Sequence, residues 1–576
     1  TTASNNVALG YNALLLNTEG AQNTAIGSAA LDANTTATNN TAVGFQSSSS
    51  NTTGVQNASL GSFSLNANTT GSNNIGLGHN ALGSNTTGGS NTAVGALALD
   101  ANTTASDNTA VGTNALGANT TGNSIVAVGK NALLTTTTTS NLTAVGFEAG
   151  KANTTGTSLV ALGYKALTAN TTGAGNVGIG RDALLANTEG GSNTAVGTNS
   201  LEDNTTGTSN TAVGYNALMN NTTADFNVAV GKASLKDNTT GEKNVAMGTD
   251  SLTANTTGAS NVAIGNSALD ANTTGGTNVA VGRDSLGSNT TADANTALGY
   301  GSLRDNTTGS SNVGLGYLAL EENTTGGSNT AVGFQALEEN TTAHNNVAVG
   351  YNSLAANTTG SGNTAIGQTA GDSITTGSDN IVIGRGSDTS AVDSVNQIVM
   401  GDNVTGNANL SFVFGKDSND SAIAFGATSI TAPSDVRLKE DIQDEEVGLD
   451  FVNDLRPVTF LWKKEKDIPS DMKAYKEDSE ARTMNGKYNH GFIAQEVKEV
   501  IDSHNLKEGF NMWSEDEADG RQRIAPSAIM SIMVKAVQEL SMQVEELKKH
   551  SHEPKGLKDM DGYDELMAEI KNLKGE

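Results

Sequence analysis

Ser434 and Lys439 stand five residues apart in the stretch TAPSDVRLKE, with Asp435 and Arg437 between them. A serine hydroxyl is a weak nucleophile until a neighbouring base takes its proton. A lysine can be that base if it is neutral. Its ordinary pKa of about 10.4 falls to roughly 7–8 when the amine is buried or faces positive charge. Arg437 supplies such charge if several copies bring this junction together. The chemistry this set allows is attack of the Ser434 hydroxyl on the preceding carbonyl, that of Pro433, with Lys439 accepting the proton. Asp435 and Arg437 read as an orienting salt bridge. The same residues also suit a plainer role, in which Ser434 caps a turn and Lys439 is solvated.

Little else in the chain offers chemistry. There is no cysteine, so disulfides, thiolate metal sites and cysteine catalysis are excluded. His490 precedes GFIAQEV and is a candidate to support an oxyanion or a proton transfer, although a lone histidine is commonly structural. His79, His344, His504, His550 and His552 are scattered and form no ligand spacing. Glycine-rich stretches such as GRGSD, from Gly384 to Asp388, lack the strand and helix context of a phosphate loop. No cofactor and no metal is expected.

The elements that must carry this junction fall into two parts. All five prolines, from Pro433 to Pro554, and both tryptophans, Trp462 and Trp513, lie at or after residue 433. What precedes is glycine, asparagine, threonine, alanine and short aliphatics. Its motif glycine recurs from Gly10 to Gly401 at an unbroken spacing of 17, without insertion or deletion. Strict phase of this kind means that each unit stacks directly on the next. The sequence begins with Thr-Thr, already in repeat phase, and an attachment segment is expected ahead of it.

One unit runs NTAVGYNALMNNTTADF, from Asn210 to Phe226. NTAVG alternates, with Thr211 and Val213 on one face and Ala212 and Gly214 on the other, which is the period of a strand. Leu218 is a second apolar anchor, and NTT supplies turn residues. Two short extended pieces and two turns per unit predict one coil of a parallel β-solenoid with ladders of like side chains. The third position, nearly always Ala or Gly, suggests a close backbone approach there. A Val, a Leu and two Ala per coil hardly offset the roughly 1–2 kcal/mol per residue of ordering. A closely packed or intertwined oligomer is therefore expected, with a rod on the order of 115 Å at ~4.8 Å per coil. NTT also matches a glycosylation acceptor, but that needs a eukaryotic secretory route for which nothing else argues. The calcium-binding nonapeptide of other β-helices is absent.

The predicted organisation is a solenoid over 1–401, a β cap over 402–433 and a small α+β domain over 434–576. Phe412, Phe414 and Phe425 bring bulk to the cap. Near the C-terminus, Met530, Met533, Val537, Leu540, Val544 and Leu547 are spaced 3, 4, 3, 4, 3 within a predicted helix over about 528–549. That is a coiled-coil seam suited to trimerisation.

Three motifs in order, SDVRLK (434–439), GLDFVNDLRPVTFLWK (448–463) and HGFIAQEV (490–497), followed by a helical tail, resemble the intramolecular chaperone of phage tailspikes. This is the peptidase S74 family, also seen in endosialidases and other tail fibres. The solenoid resembles 17-residue tail-fibre repeats and, loosely, the β-roll heads of trimeric adhesins. The resemblance implies a homotrimer, assistance in assembling a β-structured stalk, and self-cleavage between Pro433 and Ser434 by a Ser434–Lys439 pair.

The expected function is a trimeric viral tail-fibre or tailspike shaft for host attachment, on the virion tail or extracellular. Its partners are then itself, a host glycan or protein receptor, and other tail proteins. A net charge of −28 disfavours nucleic acid and anionic membranes, and no run is long and apolar enough for membrane insertion. The alternative is a cellular surface adhesin or extracellular filament using the same module. A glycan-degrading spike would need paired carboxylates in a groove, and the shaft carboxylates sit at variable turn positions.

Overall fold

The computed structural model describes residues 2–426, 436, 439–470, 472, 474–484, 486–506, 510–515, 521–525, 528–550 and 561–574. The chain divides into two compact units, Thr1–Pro433 and Ser434–Glu576.

The first unit is a β-solenoid. Three-residue strands from β1 (Val7–Leu9) to β23 (Ile381–Ile383) recur once per coil and pair in parallel with the coils before and after. Register is exact to the repeat: Ala212 lies beside Ala195 on one side and Ala229 on the other. Each coil therefore has one strand, not the two extended pieces expected. The rest is a chain of tight bends. In the coil from Asn210, residues Asn216, Leu218 and Phe226 all have φ between 52° and 61°. Leucine in this left-handed region is strained, and burial of Leu218 is what holds it there.

The motif glycine serves two purposes at once. Gly214 has φ 141°, and a Cβ on it would lie 2.3 Å from the carbonyl oxygen of Gly231 in the next coil. A side chain there is excluded both by backbone conformation and by stacking distance. This explains why the spacing never slips.

The interior is the reverse of the sequence expectation. Ala212, Ala217 and Leu218 are fully buried, so the small-residue face of the strand points into its own coil. Val213, on the other face, is 36% exposed. The lumen of a 17-residue coil that already holds the buried leucine has room beside it for alanine. In the coil where Asp388 stands in place of that leucine, Val382 fills the inward strand position instead. The small face therefore needs no second chain to cover it.

Two asparagine ladders fill what remains. Asn221 Nδ2 donates to Asn204 Oδ1 of the preceding coil at 2.8 Å and to the Ala224 carbonyl at 3.1 Å. Asn210 Oδ1 accepts from the Asn227 backbone N–H at 2.9 Å, and its Nδ2 donates to the Ala224 carbonyl at 2.8 Å. Both asparagines are buried, so each amide must find partners inside the rod. The asparagine of NTT is thus a ladder rung, inaccessible to a glycosylating enzyme. Threonine adds an outer rail, Thr222 Oγ1 donating to the Thr239 carbonyl at 3.2 Å. In neighbouring coils Ile125, Leu142 and Leu159 take the place of one ladder's asparagine and Thr136 that of the other; all four are buried.

At the C-terminal end of this unit the coil shortens. β24 (Gln397–Asp402) pairs in parallel with β25 (Ser411–Lys416), bringing Gly415 beside Gly401. β26 (Asn419–Ala424) then returns antiparallel to β25 and ends the parallel stack. Val413 faces inward, while Phe412 and Phe414 pack on each other outside, ring centres 5.1 Å apart.

The second unit is α+β. It contains α1 (Leu449–Asp454), a β27 (Val458–Phe460) and β28 (Asn489–Gly491) ribbon, α2 (Ala494–Ser503), a β29 (Trp513–Glu515) and β30 (Gln522–Ile524) ribbon, α3 (Ile529–His550) and α4 (Tyr563–Lys574). Phe451, Leu455, Val497, Ile501, Met512 and Ile532 form its core. No helix among the described residues is long and apolar enough to cross a membrane.

Candidate processing and assembly site

Pro433, Ser434, Asp435 and Arg437 lie outside the described residues. Lys439 is described; it is exposed on its unit, and its backbone N–H donates to the Val436 carbonyl at 3.2 Å. His490 is in β28, opposite Thr459 of β27, with its residue exposed. Of the residues expected to do chemistry, Lys439 and His490 are thus on the surface of the second unit.

The two downstream motifs are brought together by structure. β27 belongs to the motif around Pro457 and β28 to the one around His490, and they pair over three residues. Arg456, directly before Pro457, forms a two-pronged pair with Glu496 in the first turn of α2, its Nε donating at 2.9 Å. The hydrogen-bonded guanidinium holds Glu496 below the usual carboxylate range, and the carboxylate in turn raises Arg456. Both groups are solvent-exposed, so the pair serves as an alignment clip more than a source of stability. Sequence reasoning missed it because nothing local marks two charges 40 residues apart as partners.

A second cluster stiffens the segment after β27. Lys464 and Lys466 both contact Glu480, whose pKa they depress to about 2. Glu465 accepts from Ser479 at 2.7 Å and from Lys476 at 3.0 Å, and these two donors lower its pKa as well. The charges close the long connection between the ribbon strands.

α3 has two distinct faces. Ile532 and Ala536 are buried in the unit's own core, and Glu539 reaches α1, where Oε2 accepts from the Leu449 N–H at 2.7 Å. A carboxylate at the start of α1 satisfies one of that helix's unpartnered N–H groups. The heptad seam lies on another face. Met530, Met533, Val537, Leu540, Val544 and Leu547 are 41–70% exposed. The helix itself runs Ile529–His550, close to the predicted span.

α4 is a second amphipathic helix, not anticipated from sequence. Leu566, Met567, Ile570 and Leu573 are exposed along it. Their spacing was the available signal, but it persists for only three turns.

Residues 434–506 match the family described as Peptidase S74, chaperone of endosialidase. The chain carries a chaperone-of-endosialidase domain. The match begins at Ser434, where the solenoid-bearing unit ends, and covers all three motifs and α2. It stops before α3, so the seam helix stands outside it. No characterised protein and no solved structure matches the chain. A chaperone domain following a solenoid of 17-residue coils is the architecture of a fibre-type protein.

Proposed function

We propose that the chain is a trimeric fibre shaft that attaches a virion to a host surface, assembled by its C-terminal chaperone domain and matured by self-cleavage between Pro433 and Ser434. The observation that carries this reading is the bare heptad seam of α3. The helix spends one face on its own unit and leaves a second, continuous apolar face for other chains. A clamp of this kind sets the register of three chains before the solenoids form, which matters because parallel β-structure nucleates slowly.

The cut follows from the residues at the junction. Ser434 Oγ attacks the Pro433 carbonyl carbon, and neutral Lys439 takes the hydroxyl proton. The Pro433–Ser434 C–N bond breaks, the proton passes to the departing Ser434 nitrogen, and an ester joins Pro433 to Ser434 Oγ. Water then hydrolyses that ester, leaving a Pro433 carboxylate and a free Ser434 hydroxyl. Lys439 is exposed in the single chain, so its activation is assigned to assembly, which buries the junction and gathers Arg437 from several copies. Cleavage removes the assistant, and unfolding then no longer retraces folding.

The test is a denaturing gel of wild type, Ser434→Ala and Lys439→Ala under assembly conditions. The wild type is expected to give two bands and each variant one. Identical full-length bands from all three contradict the self-cleavage reading.

A further inference from the structure

The residue before the motif glycine, from Leu9 and Ile26 to Ile383 and Met400, is Val, Ile, Leu or Met in every one of the 24 coils. None of these side chains is buried by its own chain. Leu9 is 68% exposed, Leu60 50% and Met247 41%. Strand propensity does not account for the column. Leucine and methionine recur in it and are not β-branched, whereas the strand's other outward position takes polar threonine in many coils beside valine, isoleucine and, once, alanine. What is kept is apolarity. Aromatic rings continue the same face one residue past the glycine, and Tyr300, Tyr317, Phe334 and Tyr351 stack in sequence at 5.1–5.3 Å. The turn face of the same coils carries asparagine, threonine, serine and glycine instead.

The size of this face is what needs explaining. An aliphatic side chain offers on the order of 100 Å2. With about a third exposed in each of 24 rungs, the column alone leaves roughly 800 Å2. That exceeds the ~300–600 Å2 patch of a typical monomer and equals one partner's share of a standard interface. It is also a continuous row with one rung per coil. A compact partner or a short glycan would touch a few coils and leave the rest wet. Only another rod of the same repeat and length matches every rung.

We infer that the outward strand face is the surface on which copies of this chain meet, in parallel and with same-numbered rungs opposed. The inference rests on the trimer reading and adds where the contact lies. The three arginines one position past the glycine fit such a seam at its rim, because their own chain already pairs them. Arg181 lies 3.5 Å from Asp182, Arg283 3.1 Å from Asp284, and Arg385 2.9 Å from Asp402.

The absence of cysteine makes the test clean. Val213→Cys puts a thiol on the strand face and Thr206→Cys puts one on the exposed turn of the neighbouring coil. Both are oxidised mildly in the full chain, carrying Ser434→Ala to keep it intact, and run on a non-reducing gel beside sedimentation of the cysteine-free parent. The expected result is cross-linked chains for Val213→Cys, at least tenfold above Thr206→Cys. Equal cross-linking, or more at Thr206, overturns the assignment of the face while leaving an oligomer standing. A parent that sediments as a single chain overturns the trimer reading and this inference with it. A parent that assembles without cross-linking at Val213 overturns the inference alone.

Discussion

Leu218 in the solenoid and Phe451 in the chaperone domain are both sealed from solvent, yet they are buried by different kinds of neighbour. Around Phe451 lie residues distant in sequence and gathered from helices and ribbons, including Leu455, Val497 and Met512. Around Leu218 lie alanine, leucine and asparagine from its own and adjacent coils, joined by the same hydrogen bonds 17 residues apart. The chaperone domain has a core of its own. A solenoid coil has none and is stable only when its neighbours are in place. On the proposed function this difference sets the order of assembly: the unit with its own core aligns chains, and the dependent unit then propagates.

Substitutions sharpen that contrast. The largest effect is expected from Phe451→Ala, which opens a cavity in the chaperone core at a cost of ~3–5 kcal/mol. Made in the full chain, it should abolish assembly. A shaft already assembled and cleaved should be indifferent to the same defect, because that domain has left. Yield of assembled particles and thermal melts of the mature shaft check both halves.

Gly214→Ala attacks the solenoid instead. Its Cβ meets the Gly231 carbonyl at 2.3 Å on a backbone of φ 141°, and we expect a loss of ~3 kcal/mol, seen as a lower melting temperature of the shaft with the isolated chaperone fragment unchanged. Asn204→Ala removes two donated bonds and takes from Asn221 Nδ2 one of its two acceptors, the one at 2.8 Å, leaving the Ala224 carbonyl at 3.1 Å. The expected cost is ~1–3 kcal/mol. Asn204→Thr should be milder, since Thr136 already stands buried in the same ladder, where its hydroxyl donates to the Asn153 carbonyl at 3.1 Å. Thermal melts of the two variants side by side decide this.

The smallest effect, and the one with opposite sign in the two regions, is pH. Glu480 and Glu496 in the chaperone domain have depressed pKa values. Their contribution is present above the unfolded carboxylate pKa near 4.5 and is lost as pH falls through the folded values, about 2 for Glu480. In the solenoid, burial raises Asp32, Asp100, Asp270, Glu202, Glu321 and Asp372, which outnumber Glu148 and Asp402, lowered by Lys151 and Arg385. There the folded state binds more protons, so stability rises as pH falls through those raised values. Between pH 5 and pH 2 the chaperone domain should weaken while the shaft holds or gains. Circular dichroism melts of the two separated pieces across that range measure it.

Much of this was legible in the residues. The 17-residue period, the glycine that forbids a side chain, the asparagine ladder and the α3 seam all follow from local spacing, and the structure has them. The orientation of the strand did not follow. Hydrophobicity alone puts Val213 inside and Ala212 outside, and only the room left beside the buried leucine reverses them. The Arg456–Glu496 clip and the Glu539 cap on α1 were hidden for a different reason: each joins residues whose proximity is created by the tertiary fold. The junction around Ser434 was read from motif order.

The most direct measurement is the mass of the assembled particle and of its chains, by native mass spectrometry followed by denaturation. The account predicts three chains ending at Pro433, with a separate fragment beginning at Ser434. A stably folded solitary chain, or a trimer whose chains all retain the C-terminal domain under conditions where assembly is complete, contradicts it.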